Sequence, residues 1–485
     1  MVEWTLSILL IVIFAFLLKS FQLDKTGGMV IETALNSLEV LSSPQLSDRQ
    51  KEVGLQKNSL KLFGLFFKLV FGAIVALALP LGCLWIADKS RLIALDTVLA
   101  LTVSPHFLVV STLMFGGWWF FNQRRQPPET DSSYSPLDQA LHRMSFKTYA
   151  TQVSVARLED KLFAKTLAPL RPKPVFITAL PRAGTTLLLE CLADNREFAA
   201  HCYRDMPFVL IPCLWNRYSR MFQQRVEAQE RAHGDGMHIS PDSPEALEEV
   251  IWTAFWGKHY QADRIIPWDI EQNKQFNDFF RSHMRKIIFL RRHKLANTAR
   301  YISKNNANIA RIHTLRHLFP DAIILIPFRN PIHHAASMLQ QHRNFLNIHK
   351  TDAFASEYMK AIGHYDFGEN LCPIDFDGWL DQRISTDTES ITFWLEYWVA
   401  SYGHLLRENS KVAHFFNYDA LCQDPEHGLL ALGKIVDSNA PDTLAQKVSV
   451  IGSPRPKKLD TSLIPEALLQ KANTIYQSLQ DVAYN

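Results

Sequence analysis

The segment from Pro174 to Glu190 constrains the fold more than any other part of the chain. Its first residues form an apolar, β-branched run, which is typical of a buried parallel strand. Pro181 ends the run, Gly184 indicates a turn, and a leucine-rich run typical of a helix begins at Thr185. The first N–H groups of a helix have no acceptor within it, and the helix dipole is positive there. A strand, a turn and a helix in this order therefore predict an anion site.

The turn also carries side chains suited to an anion. Arg182 supplies a positive charge, and Thr185 and Thr186 supply hydroxyl donors. The loop is not of the Walker type, which needs Gly, four residues and then Gly-Lys-Ser/Thr. Ala179 occupies the first glycine position and Thr185 the lysine position. The segment therefore predicts phosphate binding of another kind, and an ordinary β–α turn is the alternative.

A second segment predicts another anion site. Residues 322–328 have the pattern of a buried strand, and Arg329 follows them directly. Ser337 stands eight residues after Arg329, in a predicted helix. An arginine fork matches a phosphate dianion, and a serine about two turns into the next helix faces the same side. A lone arginine at a strand end would also fit a surface ion pair.

Together the two segments resemble the sulfotransferases that use 3′-phosphoadenosine 5′-phosphosulfate (PAPS), in a bacterial, membrane-anchored form. In that family a Pro-Lys/Arg-Ser/Ala/Gly-Gly-Thr-Thr segment follows the first strand, and residues 181–186 fit it. The resemblance covers roughly residues 165–430 and implies an α/β fold with a three-layer, P-loop-like parallel sheet. It implies PAPS as co-substrate, without a metal. The donor-binding residues that it implies are Arg182, Ala183, Gly184, Thr185, Thr186, Leu187, Arg329 and Ser337.

The resemblance also implies a general base shortly after the loop helix. Asp205 is the nearest match and His201 the second candidate, so the predicted catalytic residues are Arg182, Asp205 and His201. The base would take the proton of the acceptor hydroxyl as the sulfur–oxygen bond forms. A carboxylate in this role needs a raised pKa, or acts late in the transition state. Asp205 could instead have a purely structural role, as a helix cap or in an ion pair with Arg204. His201 could simply be exposed at the surface.

Several other polar residues are candidates for the site. Related enzymes carry a lysine where Lys304 follows a predicted strand, and it could reach the sulfuryl group or the acceptor. His233 and His238 could line an acceptor pocket. Arg455, in a short basic loop, could close over the 3′-phosphate, although a solvated charge cluster would have the same composition.

Composition limits the classes of partner. The net charge is +3 and no long basic run appears, so nucleic acid is not a predicted partner. The six cysteines form no CxxC pair, which argues against a zinc site. The length of 485 residues allows two or three domains.

The N-terminal quarter predicts a membrane region. Apolar runs at 4–20, 69–87 and 97–121 predict three transmembrane helices, of which the first is marginal in length. The lysines and arginines place the linker helix between the first two runs, and everything after the third, in the cytoplasm. A multi-pass membrane protein with a cytoplasmic catalytic domain is predicted, where a soluble nucleotide donor would be available.

The predicted domains are therefore a membrane region at 1–121, a hinge at 122–135 and a catalytic domain at 136–485. Alternation of strands and helices in the last predicts a parallel sheet covered on both faces. The predicted strands are 174–180, 298–303, 322–328 and 411–417. The predicted helices are 137–168, 185–194, 245–258, 272–284, 306–318, 331–343 and 386–408.

The predicted activity is transfer of the sulfuryl group from PAPS to a hydroxyl or amine of a lipid, a glycan or another envelope-associated acceptor. The lipid bilayer is a further predicted partner, and no oligomeric state is predicted. Two alternatives stay open. One is a nucleotide-dependent phosphotransferase with a degenerate loop, and the other is a membrane scaffold that keeps the fold without the chemistry.

Overall fold

The computed structural model describes residues 48–90, 136–147, 149–219, 229–230, 238–452 and 464–483, with isolated positions between 13 and 40, between 100 and 104, and at 462. The chain divides into two compact units, residues 1–131 and 132–485. Apart from isolated positions, the predicted spans 4–20 and 97–121 and the predicted hinge lie outside the described residues.

The first unit contains helix α1 (Asp48–Lys89), which includes the predicted span 69–87. Its residues 51–89 are long and apolar enough to cross a membrane, judged by length and composition. Large apolar side chains such as Leu60, Phe63 and Phe71 are more than half exposed on it. This is the single helix of this kind among the described residues, so it is weak support for membrane association. The three-span topology and its orientation stay predictions.

The second unit is built on a five-stranded parallel sheet. Its strands are β1 (Val175–Ile177), β2 (Phe198–Ala199), β5 (Arg300–Lys304), β6 (Ile323–Phe328) and β7 (His414–Asn417). Their order in the sheet is β2-β5-β1-β6-β7. Strands β3 (Gln229–Glu230) and β4 (His238–Ile239) form a separate antiparallel pair. The two segments that predict anion sites thus belong to neighbouring strands, since β1 pairs with β6.

Alternate residues of the sheet enter two different cores, because successive side chains of a strand point to opposite faces. Phe176 and Ile324 belong to one core, and Val175 and Leu325 to the other. Helices cover both faces, which confirms the predicted three-layer α/β class. The helices of this unit are α2 (Pro136–Lys147), α3 (Tyr149–Phe163), α4 (Thr185–Ala193), α5 (Pro212–Ser219), α6 (Glu249–Trp256), α7 (Lys274–Arg292), α8 (Ile312–Leu318), α9 (Pro331–Thr351), α10 (Ala353–Ala361), α11 (Trp379–Gln382), α12 (Ile391–Asn409), α13 (Tyr418–Gln423), α14 (Pro425–Ile435), α15 (Asp442–Ala445) and α16 (Glu466–Val482).

The element boundaries differ from the sequence predictions in places that have local causes. Strand β1 ends at Ile177 instead of residue 180, although the N–H of Thr178 still donates to the carbonyl of Leu325 over 2.9 Å. The predicted helix 306–318 begins as a 3₁₀ segment, Asn306–Arg311, and the side chain of Asn305 caps it by accepting from the N–H of Ala307. Strand β2 was not predicted, since two residues are too few for a periodic pattern.

Candidate active site

The loop between β1 and α4 has a backbone that depends on glycine. Gly184 has a φ of 95°, in the left-handed region. A Cβ atom at this position would lie 2.2 Å from the ring of Tyr418, so a larger residue is excluded by contact as well as by conformation. Gly184 is the N-cap of α4 and has no side chain that could occupy the free N–H groups of the first helical turn.

The other loop residues surround this helix start. Arg182 is half-buried and has a φ of 73°. Ala183 and Thr185 are buried, while Thr186 and Leu187 are half-buried. The predicted loop residues are therefore contiguous around the N-terminus of α4.

The second predicted anion site meets the first in space. Nε of Arg182 donates to Oγ of Ser337 over 3.4 Å, and Nη1 of Arg329 donates to the carbonyl oxygen of Arg182 over 3.4 Å. Asn330 caps α9 by accepting from two N–H groups of its first turn, and Pro331 occupies the first helical position. This cap holds Arg329 at the end of β6 and starts the helix that carries Ser337.

Two residues that the sequence analysis missed support Arg329. Its guanidinium carbon lies 5.4 Å from the centre of the Tyr418 ring, and its Nε lies 3.9 Å from Oδ1 of Asp419. Oδ2 of Asp419 accepts from the N–H of Asn330 over 2.6 Å and from the hydroxyl of Tyr476 over 3.4 Å. Tyr418 and Asp419 directly follow β7 at the same edge of the sheet as Arg329, and that position is the signal that could have identified them.

His334, in α9, forms a hydrogen bond with the backbone of the loop. Its ring is fully buried, and Nε2 donates to the carbonyl oxygen of Pro181 over 2.8 Å. Burial, with a smaller contribution from the positive charges of Arg329 and Arg182, lowers the pKa of His334 to about 3. The imidazole is therefore neutral and acts as a fixed hydrogen-bond donor to the residue before Arg182.

An open cleft lies beside the loop, at the carboxyl ends of β1 and β5, with about 780 Å³ of space in and above it when the adjoining open solvent is included. We call it the carboxyl-edge cleft. Its polar lining includes Lys304, Asn306, His364, Asp366 and Glu245. Its apolar and aromatic lining includes Ile265, Ile309, Ile362, Tyr365, Leu371, Ile374 and Tyr397. Pro181 also lines the cleft, which therefore adjoins the loop of residues 181–186. We call this loop the anion loop, after its predicted role.

A chain of hydrogen bonds connects the loop with this cleft. Oγ1 of Thr185 donates to Oδ1 of Asn306 over 3.4 Å, and Nδ2 of Asn306 donates to Oδ2 of Asp366 over 2.9 Å. Nε2 of His364 lies 3.9 Å from the same carboxylate oxygen. The position of Asp366 is thus tied to the first residue of α4.

A buried charge pair contributes to the wall of the cleft, since Glu249 is one of the lining residues. Glu249 accepts hydrogen bonds from Arg311, Tyr260 and Asn305, the last over 2.7 Å. Arg311 is 1% exposed and Glu249 4% exposed, so the charges neutralise each other away from water. Gly363 has a φ of 79° and packs on Glu249, where a Cβ atom would lie 2.4 Å from Cγ. The pair therefore supports the turn that precedes His364.

The two predicted base residues lie elsewhere. Asp205 and His201 are each 1% exposed, and neither lines the carboxyl-edge cleft. Asp205 accepts from Nδ1 of His201 over 3.2 Å, from the N–H of Cys202 over 3.1 Å, and from Arg291. His201 in turn faces His283, with the two Nε2 atoms 3.2 Å apart. Of the two structural alternatives for Asp205, the helix cap is present, because its side chain accepts from the N–H of Cys202 at the start of the 3₁₀ turn Tyr203–Asp205. The ion pair with Arg204 is absent, and Arg291 takes its place.

The pKa of Asp205 is shifted in the direction opposite to that expected of a general base. Burial by itself raises the pKa of its carboxyl, but the hydrogen bond from His201 and the charge of Arg291 outweigh burial and leave the pKa lowered. Arg204, the expected partner, instead pairs with Asp242 over 2.6 Å. The raised pKa expected of a carboxylate base is therefore not found at Asp205.

Of the other predicted residues, Lys304 lines the carboxyl-edge cleft. His238 belongs to β4, and its side chain is not described; His233 and Arg455 lie outside the described residues. Among the described residues, no group of three or more His, Cys, Asp or Glu side chains could hold a metal ion.

The sequence model of the sulfotransferase family matches residues 174–437. Among solved structures, the sulfotransferase STF9 from Mycobacterium avium is similar, with 12% identity over 72% of this chain and 87% of that one and a TM-score of 0.41. A sulfotransferase from Alicyclobacillus acidocaldarius is 10% identical over 64% of this chain and 95% of that one, with a TM-score of 0.33. The sulfotransferase domain of the Synechococcus PCC 7002 olefin synthase is 14% identical over 64% of this chain and 96% of that one, with a TM-score of 0.27.

No curated protein matches the sequence. The family match covers more than half of the chain and includes the anion loop, Arg329 and Ser337. The chain belongs to the sulfotransferase family.

Proposed function

We propose that the protein transfers the sulfuryl group of PAPS to the hydroxyl of an acceptor that occupies the carboxyl-edge cleft. The observation that carries the proposal is the convergence of Arg182, Arg329 and Ser337 at the N-terminus of α4. These groups form two adjacent anion sites, and PAPS carries anions at both its 5′ and its 3′ position. Family membership supports the same donor.

Each anion of the donor has its own set of residues in this proposal. Arg182 and the backbone N–H groups of residues 183–187 bind the 5′-phosphosulfate. Arg329 and Ser337 bind the 3′-phosphate, and Tyr418 and Asp419 keep the Arg329 guanidinium in place. Arg455 is proposed to contribute from the basic loop that follows.

The reaction is a displacement at sulfur. The acceptor oxygen forms a bond to sulfur while the bond between sulfur and the bridging oxygen of the 5′-phosphate breaks. Negative charge develops on the leaving phosphate, where Arg182 and the N–H groups of α4 stabilise it. Lys304 lies in the cleft beside the loop and supplies a cation near the transferred group. These protein groups carry the charge stabilisation in the scheme without a metal ion.

The lining of the cleft supports an acceptor with an apolar or aromatic body. Isoleucine, leucine and tyrosine side chains line the cleft together with a smaller number of polar groups. A hydroxyl on a lipid or another apolar envelope molecule fits this mixed lining. The apolar helix α1 is compatible with such an acceptor, since it could keep the enzyme at a membrane.

Calorimetry with the full-length protein in detergent tests the donor class. Adenosine 3′,5′-bisphosphate, the product of PAPS, is compared with ATP plus Mg²⁺. We expect tight binding of the bisphosphate in the presence of a chelator. Binding of ATP alone would instead favour the phosphotransferase, and binding of neither by folded protein would favour the scaffold.

A further inference from the structure

Asp366 combines a fixed position with access to the carboxyl-edge cleft. It lies after α10 and lines the cleft together with Lys304. Its side chain is 24% exposed, compared with 1% for Asp205. A general base must reach the proton that it removes, and Asp366 meets this condition where Asp205 does not.

Asn306 aligns Asp366 relative to the donor loop. It donates to Oδ2 of Asp366 over 2.9 Å and accepts from Thr185, the first residue of α4, over 3.4 Å. Oδ1 accepts no hydrogen bond from any described residue. One carboxylate oxygen is therefore held by the protein while the other can meet a substrate. Because the carboxylate is already held in position, less conformational entropy is lost when it and the substrate reach the reactive geometry.

The turn that carries Asp366 is itself held firmly. Gly363 packs on the buried Glu249, and the N–H of His364 donates to the carbonyl of Met359 over 2.8 Å. The N–H of Cys372 donates to the carbonyl of Tyr365 over 2.9 Å and closes the segment from the other side. A catalytic side chain on such a support keeps its position through the reaction.

The charges around Asp366 suit a sulfuryl transfer. Lys304 supplies a positive charge to the same lining, which also includes His364 and Glu245. Glu249 is a further lining residue, and its charge is neutralised by Arg311. A bound anionic donor would therefore meet Lys304 as well as the carboxylate.

We infer that Asp366 is the general base of the reaction, an assignment that rests on the proposed function. Oδ1 accepts the proton of the acceptor hydroxyl as its oxygen attacks sulfur. The new sulfur–oxygen bond forms, the bond to the bridging oxygen breaks, and its electron pair leaves with adenosine 3′,5′-bisphosphate. Asp366 then returns the proton to solvent through the open side of the cleft.

The test compares two acceptors with full-length wild-type protein and the variant Asp366→Asn. The new amide oxygen can still accept from Asn306, so the hydrogen-bond chain is preserved. Phenol and para-nitrophenol serve as acceptors, with PAPS labelled in the sulfuryl group. The pH lies between the pKa values of the two phenols, where para-nitrophenol is ionised and needs no base.

We expect the variant to lose about 10²- to 10⁴-fold in kcat with phenol, the usual contribution of a general base, and to stay near wild type with para-nitrophenol. The matched control is Glu369→Gln, an exposed carboxylate in the same segment that does not line the cleft. It should leave both rates unchanged. An equal loss with both phenols, or no loss with phenol, would overturn the assignment.

Two further results separate this inference from the proposed function. Wild-type protein that does not bind adenosine 3′,5′-bisphosphate would overturn the proposed function itself. Wild-type protein that binds it but transfers sulfuryl to neither phenol would overturn the cleft as the acceptor site, and the base with it. If His364→Gln, and not Asp366→Asn, produced the selective loss with phenol, the base would be His364.

Discussion

Arg329, at the end of β6, donates a hydrogen bond to the backbone carbonyl of Arg182, in the loop before α4, over 3.4 Å. The two arginines are 147 residues apart in the chain. The bond fixes the backbone of the loop to the end of β6, and Asp419 lies beside Arg329. Both arginines therefore belong to the same edge of the sheet, where a ligand with more than one negative charge would meet two positive side chains.

Arg182→Ala should reduce turnover far more than donor binding. In the proposed reaction Arg182 stabilises charge that develops on the leaving phosphate, so about 10²- to 10³-fold in kcat is expected. Single-turnover transfer from PAPS to phenol measures the chemical step, and calorimetry with adenosine 3′,5′-bisphosphate measures binding. Arg196→Ala, at an exposed arginine just after α4, is the control. Wild-type turnover in Arg182→Ala would remove this residue from the mechanism.

Arg329→Gln should weaken donor binding through the 3′-phosphate. Loss of a charge-assisted hydrogen bond predicts about 10- to 100-fold weaker binding of adenosine 3′,5′-bisphosphate. Binding of adenosine 5′-monophosphate, which has no 3′-phosphate, should change little. Arg343→Gln, at an exposed arginine of α9, is the matched control. An equal effect on both nucleotides would contradict the assignment of Arg329 to the 3′ position.

Gly184→Ala should damage the loop for two reasons that can be separated. The new Cβ would lie 2.2 Å from the Tyr418 ring, and the φ of 95° is unfavourable for alanine. We expect a loss of at least about 1–2 kcal/mol in stability, with loss of bisphosphate binding. Thermal unfolding and calorimetry provide the measurements.

Gly257→Ala, where a Cβ has open space, should be nearly neutral. Combining Gly184→Ala with Tyr418→Ala relieves the contact but not the backbone strain, so rescue should be partial. Full stability and binding in Gly184→Ala alone would contradict the described loop.

His334 should make the stability of the catalytic unit depend on pH. Burial lowers its pKa from the ordinary value of 6.5 to about 3 in the folded protein. Between these values the unfolded chain binds a proton that the folded chain does not. Stability is therefore fully present above pH 6.5 and falls as the pH is lowered toward 3, with a slope of up to about 1.4 kcal/mol per pH unit from this group.

Urea unfolding at a series of pH values measures this slope. His334→Gln, which cannot be protonated, should reduce it, although other buried histidines such as His283 and His342 also contribute. His427→Gln, at an exposed position, should leave it unchanged. A slope in His334→Gln equal to that of wild type would mean that His334 is not held neutral by burial.

The surroundings of Asp205 depend on contacts between residues that are distant in the sequence. The resemblance to the family predicts Asp205 as the base from its position after the loop helix. In the structure its carboxylate is enclosed by Arg291, His201 and the backbone of Cys202. Arg291 belongs to α7, far along the chain, and no pattern near Asp205 indicates this pairing. Asp366 carries no motif of its own and is identified only by its place in the cleft.

The strand, turn and helix of the predicted anion loop could be recognised from the sequence because their signals are local. A buried strand, a glycine turn and a helix start occupy consecutive residues, and the free N–H groups of such a helix start are suited to anions. The spacing of Arg329 and Ser337 is local in the same sense, since one helix carries the serine to the side of the arginine. The α/β class also followed from alternation of elements along the chain.

The composition of the active site depended on tertiary structure. Only the strand order places β1 between β5 and β6, and this order brings Lys304 and Arg329 to the two sides of the loop. Tyr418 reaches Gly184, and Asp366 reaches Asn306, across long stretches of chain. Such contacts arise from the packing of whole elements and the burial of apolar surface. The burial of apolar surface is not directional, and many different sequences achieve it. Residue types and spacing alone therefore do not specify which side chains come into contact.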